Sequence, residues 1–217
     1  EILSEFFFET LVRFRAVSPV DGRAEGAHPF DVNRNGPVGG EGCGIVCLES
    51  LEHAVKRGAV PYCEIRGWGM SSAPANPTDW PRDAKGTMLA MNRALKSADL
   101  TPDGIDTIQA AGNGGENPDR IEAEACCSLF GANPAGTVIS SVKGALGESF
   151  SSGGMRAAAL ALSIREGKVP PTPGLVHPIV PLSFTSGEAK NMNIRHGLLN
   201  AVSHGGTNVS IIMSRVE

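Results

Sequence analysis

Residues 108–123 read IQAAGNGGENPDRIEA: an apolar run, a glycine-rich turn, then the start of a helix. A strand feeding a glycine-rich loop and a helix amino terminus is a common place to hold a phosphate or a catalytic group. The dinucleotide fingerprint fails here, because after Gly112 and Gly114 its third glycine position is Asn117. No Gly-Lys-Ser or Gly-Lys-Thr closes a phosphate loop either. Asn117 as N-cap, Pro118 as first helical residue and Asp119 near the positive helix end explain the composition as a well-made helix start.

Outward from this turn, strand and helix patterns alternate. GIDTIQAA reads as a strand, NPDRIEAEACCSLFG as a helix, GTVISSVKG as a strand and GGMRAAALALSIREGKVPP as a small-residue helix ended by Gly167 and Pro170. NIRHGLLNAVSHGGTNVSIIMSRV reads as two strands joined by a glycine turn. Upstream, PYCEIRGWGMSS reads as a strand, and Met88, Met91, Leu95 and Ala98 fall at helical spacing as core positions. CGIVCLESL reads as a buried strand running into EHAVKRG, a short helix closed by Gly58. The aromatic segment EILSEFFFETLVRFR, with Ile2, Leu3, Phe6, Phe7, Leu11 and Phe14 near one stripe, is expected to be a helix that docks on something. The class is therefore α/β with a substantial sheet.

The 217 residues, 41% of them hydrophobic, suffice for a sizeable core, and a formal net charge of −4 without charge runs argues against nucleic-acid and membrane partners. With no spanning segment and no signal peptide in view, the expected location is cytoplasmic. The sequence starts at Glu1 rather than methionine, from which upstream residues are expected. The five cysteines are odd in number and lack paired zinc spacing. Cys43 and Cys47 are expected to share a strand face as small core fillers, and Cys126 and Cys127 to lie on a helix.

Five segments in order, HPFDVNRNGPVGGEGCGIVCLESLEHAVKRGA, GTMLAMNRALKSADLTPDGIDTIQAAG, VISSVKGALGE, ALSIREGKVPPTPGL and NAVSHGGTNVSIIM, together resemble the carboxy-terminal half of the β-ketoacyl-(acyl carrier protein) synthases. The resemblance implies a thiolase-like fold, the second half of a condensing enzyme, with a mixed sheet covered by helices. Residues 1–42 would be a docking helix and loop belonging to the preceding half, and 43–217 the carboxy-terminal domain. The family's nucleophilic cysteine lies in its first half, and neither Cys43 nor Cys47 falls where that cysteine would be.

An active second half carries one histidine in a strand-end H-G-T and another in K-x-x-x-G-H. The first aligns with Ala111-Gly112-Asn113 and the second with Lys143-Gly144-Ala145-Leu146-Gly147-Glu148, so both histidines are replaced. Lys143 is kept, and Ala111, His204, Gly205 and Gly206 fall on the family's acyl pocket. These features resemble the non-catalytic chain length factors that pair with an active synthase in fatty acid or polyketide assembly. The alternative is half of a split, active synthase whose cysteine sits on another polypeptide, with Lys143 or Glu148 in an altered proton-transfer role. Either reading implies a complementary ketosynthase-like half and an acyl carrier protein as partners, and no cofactor or metal. Lys143 as a surface lysine, His204 and His196 as packed or hydrogen-bonded residues, and Arg156, Arg165 and Lys168 as a solvated face or a surface for the acidic carrier remain open.

Overall fold

The structure, a computed structural model, describes residues 4–19, 22, 25–131 and 136–216; Ile2 and Leu3 lie outside them. Five strands form one sheet: β1 (Glu64–Ser72), β2 (Thr107–Gln109), β3 (Val138–Ser140), β6 (His196–Val202) and β7 (Thr207–Ser214). Their spatial order is β1-β7-β6-β2-β3. β2 runs parallel to both β3 and β6, whereas β7 is antiparallel to the central β6 and to β1. A mixed sheet follows from the connections: helices α3 (Lys85–Ser97) and α4 (Glu116–Phe130) carry the chain across, while β6 and β7 are joined by a tight glycine turn. A two-stranded ladder, β4 (Lys168–Val169) with β5 (Lys190–Asn191), flanks this body.

Register decides what each face buries. Ile108, Leu198 and Ile212 align across β2, β6 and β7 and point at Met91, Leu95, Ile121 and Ala125 of α3 and α4. On the other face, Val138, Leu199 and Met213 pack with Leu160 and Ile164 of α6 (Gly153–Glu166). The helical spacing of Met91, Leu95 and Ala98 is thus a core stripe. Gly69 lets α3 close on β1, because a Cβ there would stand 2.2 Å from the Ala90 carbonyl oxygen.

Three expectations fail. Residues 43–50 form no strand; Cys43 and Cys47 are exposed, and Ile45 is 90% exposed. The segment is apolar enough for a buried strand, but no strand among the described residues pairs with it, and Gly44 meets the body at Gly154 and Met155. Second, α4 begins at Glu116 with Gly115 as its N-cap, not at Asn117, because Asn113 Oδ1 accepts the Gly115 N–H (2.9 Å) and turns the chain earlier. Third, Arg156 is no surface residue: it is buried on the sheet side of α6. Arg165 and Lys168 are exposed, Arg165 lying over the Tyr62 ring at 4.4 Å.

The aromatic helix α1 (Glu5–Arg13) forms as expected, with the Ser4 side chain capping the Phe7 N–H. It buries no residue. Phe7 meets Phe150 edge-on at 6.0 Å, while Phe6 and Phe14 stay exposed.

Candidate functional site

The site is built where β2 ends. Here the backbone N–H groups turn inward toward two buried carboxylates of α4. The Ala111 N–H donates to both Glu122 oxygens (2.9 Å each) and Gly112 N–H to Glu122 Oε2 (2.8 Å). The N–H groups of Asn113 (2.9 Å), Gly114 (3.2 Å) and Phe30 (2.7 Å) donate to Asp119. Asp119 and Glu122 are three apart on one helix face, so a single turn of α4 holds the whole loop. Burial pushes the Asp119 carboxyl up to about 7, against the downward pull of the Phe30 and Asn113 N–H groups. Burial also raises Glu122, which the Ala111 N–H and the Asn200 side chain pull back down.

The loop's own side chains then meet α5 (Lys143–Leu146) and the turn after it. Lys143 Nζ and Glu148 Oε2 are paired at 2.5 Å, with both side chains about nine-tenths buried. Asn113 Nδ2 donates to the same oxygen (2.7 Å), and the Phe150 N–H donates to Glu148 Oε1 (2.9 Å). Burial raises the Glu148 carboxyl, but Lys143 and Asn113 outweigh it and leave it below its ordinary value. For Lys143 burial lowers the ammonium more than Glu148 restores. The two directions diverge because the carboxylate has three donors and the ammonium one strong partner; we take the pair as charged at neutral pH.

The sequence-derived residues thus form two groups. Lys143 and Glu148 are joined directly, and Ala111 lies in the loop whose Asn113 binds Glu148. His204, Gly205 and Gly206 make a second group at the β6–β7 turn. There the His204 ring lies tilted against Trp80 (4.2 Å between centroids, 43° between planes), Gly205 N–H donates to the Asp79 carbonyl (3.0 Å), and the Gly206 carbonyl accepts from Ala73 N–H and Asn208 Nδ2 (2.8 Å each). Lys143 is no surface lysine, and His196 takes a structural place through Ser214 Oγ (2.8 Å). Among the described residues no group of three or more His, Cys, Asp or Glu is placed to hold a metal.

Asn113, Asp119 and Glu122 escaped the sequence reading of the site. Their signal was present as a polar residue in the glycine turn and two acids three apart on the next helix. Chemically the arrangement offers a charge-paired ammonium and an ionised carboxylate, and neither aligned position, Ala111 or Glu148, carries an imidazole.

The family described as "Beta-ketoacyl synthase, C-terminal domain" matches residues 62–176, more than half of the chain. The chain belongs to the β-ketoacyl synthase family. Within that family, it is 36% identical over 202 residues to the mitochondrial 3-oxoacyl-[acyl-carrier-protein] synthase of Arabidopsis thaliana, covering 88% of this chain and 43% of that protein. Among solved structures it resembles the ishigamide ketosynthase/chain length factor (TM-score 0.89, 31% identity, all of this chain and 52% of that one). It also resembles a type II polyketide acyl-carrier protein complex with its ketosynthase bound to the hexaketide (TM-score 0.91, 28% identity, all of this chain and 54% of that one). The chain spans about half the length of these relatives. Its fold is that of the thiolase-like ketosynthases, a mixed sheet covered by helices.

Proposed function

We propose that this chain acts as a non-catalytic, chain-length-factor-like ketosynthase subunit. It would pair with a condensing enzyme in fatty acid or polyketide biosynthesis and complete the pocket in which the acyl chain grows. The observation that carries the reading is the Lys143–Glu148–Asn113 cluster. Decarboxylation of a malonyl thioester builds negative charge on the thioester oxygen. A condensing site meets it with hydrogen-bond donors, each worth about 3–4 kcal/mol of transition-state stabilisation. At the two aligned positions Ala111 offers no side-chain donor and Glu148 offers a negative charge. Lys143, the cation in direct contact with it, is spent on Glu148.

The partners this function requires are a complementary ketosynthase-like half or subunit and an acyl carrier protein. The similarity to a ketosynthase/chain length factor and to a ketosynthase–carrier complex supports both. In the same reading, residues 1–42 belong to the preceding half and 43–217 form the carboxy-terminal domain, with Ala111, His204, Gly205 and Gly206 on the acyl pocket.

A split, active synthase is the competing reading, in which the paired Lys143 and Glu148 carry an altered proton-transfer role. The two separate in the complex purified with its condensing partner. Glu148→Gln, and Lys143→Met/Glu148→Gln, which leaves no orphan charge, should keep turnover within a few fold while altering the chain-length distribution. A loss of about 10²-fold or more, the scale of removing a general acid or base, in a variant with wild-type circular dichroism would establish the split enzyme instead.

A further inference from the structure

We infer that Arg156 is a positioning residue: its buried guanidinium is the internal counter-cation of Glu122 and thereby holds the Ala111–Gly112 turn at the end of β2 in place. The inference stands whether or not the functional reading above does, because it concerns the loop's support and not the Lys143 site.

Arg156 is 3% exposed, in the first turns of α6, with the rest of that helix rich in alanine. A fully buried arginine is rare and implies a buried negative partner. Its Nη2 donates to the carbonyls of Gln109 (3.1 Å) and Asn200, the last residue of β2 and a central residue of β6. Its Nε has no acceptor among the described residues, so hydrogen bonding alone leaves the group incompletely satisfied.

The missing compensation is charge. Glu122 is fully buried and receives only donors: two backbone N–H groups and Asn200 Nδ2 (2.5 Å). A protonated carboxyl would have to place its own hydrogen among them, so this donor set selects the carboxylate. Asn200 sits between the two charges, giving its amide to Glu122 and its carbonyl to Arg156, while Ser210 Oγ fixes its Oδ1 (2.9 Å). The attraction therefore acts across one residue in a dry interior, where screening is weak. Arg156 also lies within electrostatic range of Lys143 and Glu148, so the same cation bears on the wall that Asn113 and Glu148 form.

The test is a double-mutant cycle in the full chain, in whatever assembly it is isolated, read by thermal unfolding and by amide hydrogen exchange. Arg156→Met keeps much of the side-chain volume and drops the charge. It should speed exchange at Ala111 and Gly112 by about 10-fold or more, beyond any change at Ile212 in β7. Arg156→Lys, which keeps the charge, should leave those amides within a few fold of wild type. Adding Glu122→Gln to Arg156→Met should recover stability, making the double variant less impaired than the two single effects combined. If Arg156→Met fails to fold, recovery of soluble protein in Arg156→Lys and in the double variant carries the same information. Additive losses, or Arg156→Lys as damaging as Arg156→Met, or unchanged protection at Ala111 and Gly112, would overturn the assignment.

Discussion

Glu148 carries an acceptor-only carboxylate to a place where the family resemblance expects a ring donor, and its partners show how the fold tolerates it. Removing one member of a buried ion pair costs about 3–5 kcal/mol when the survivor is left uncompensated; here a tenth of each side chain still meets water. Glu148→Gln should therefore lower stability at pH 7 toward the low end of that range. Because the folded Glu148 value is depressed, the pair's contribution is present above the ordinary carboxylate value near 4.5 and is lost as pH falls through the folded value. The melting-temperature gap between wild type and Glu148→Gln should accordingly shrink below about pH 4. Asp119 works in the opposite sense: with its folded value raised to about 7, it favours the folded state at low pH and withdraws that contribution as pH rises from about 4 to 7. The difference between the two proteins cancels the Asp119 effect. Gly112 supplies a second residue-scale test, since a Cβ there would lie 2.4 Å from the buried Phe30 ring. Gly112→Ala should cost about 1–3 kcal/mol by overpacking, read as a lower denaturant midpoint at unchanged slope.

At the scale of elements, periodicity was legible wherever both faces of an element find partners within this chain. Met91, Leu95 and Ala98 on α3 and the paired strands β6 and β7 are such cases. It misled at residues 43–50, where the apolar pattern is real and the covering surface is not supplied by the described residues. The site was legible by type, through Lys143 and Glu148, but not by contact: Asn113 meets Glu148 across 35 residues and Arg156 meets Gln109 across 47, which no local pattern encodes, whereas Asp119 and Glu122 left a local signal in two acids three apart on α4. The exposed segment makes its own prediction. Cys43 and Cys47 should react readily with a maleimide in the isolated chain, whereas Cys126 stays protected, since burial keeps it out of reach and pushes its thiol well above the ordinary value. On assembly with a ketosynthase-like partner, Cys43 and Cys47 should become protected as well; unchanged labelling in the complex would place the partner elsewhere.

For the whole molecule, the decisive feature is the sheet face left bare at the β1 edge. Trp68 and Met70 pair across the strands with Ile211 and Val209, and Trp68 is 61% exposed. Together with Phe6, Phe14, Ile45 and Leu48, these side chains forgo about 1.5–3 kcal/mol each, comparable in sum with the whole stability of a domain. The chain by itself should therefore self-associate or aggregate in sedimentation. With its partner it should bury well over the roughly 2,000 Å² of an obligate interface; a cooperatively melting monomer would contradict the half-fold account. The most direct test of the central claim is malonyl-thioester decarboxylation by the assembled complex after the condensing partner's own catalytic groups have been substituted. The account predicts background rate, unchanged by Lys143→Ala in this chain, and no stoichiometric acylation of its five cysteines. Decarboxylation above background that is abolished by Lys143→Ala would mean that this chain is itself catalytic.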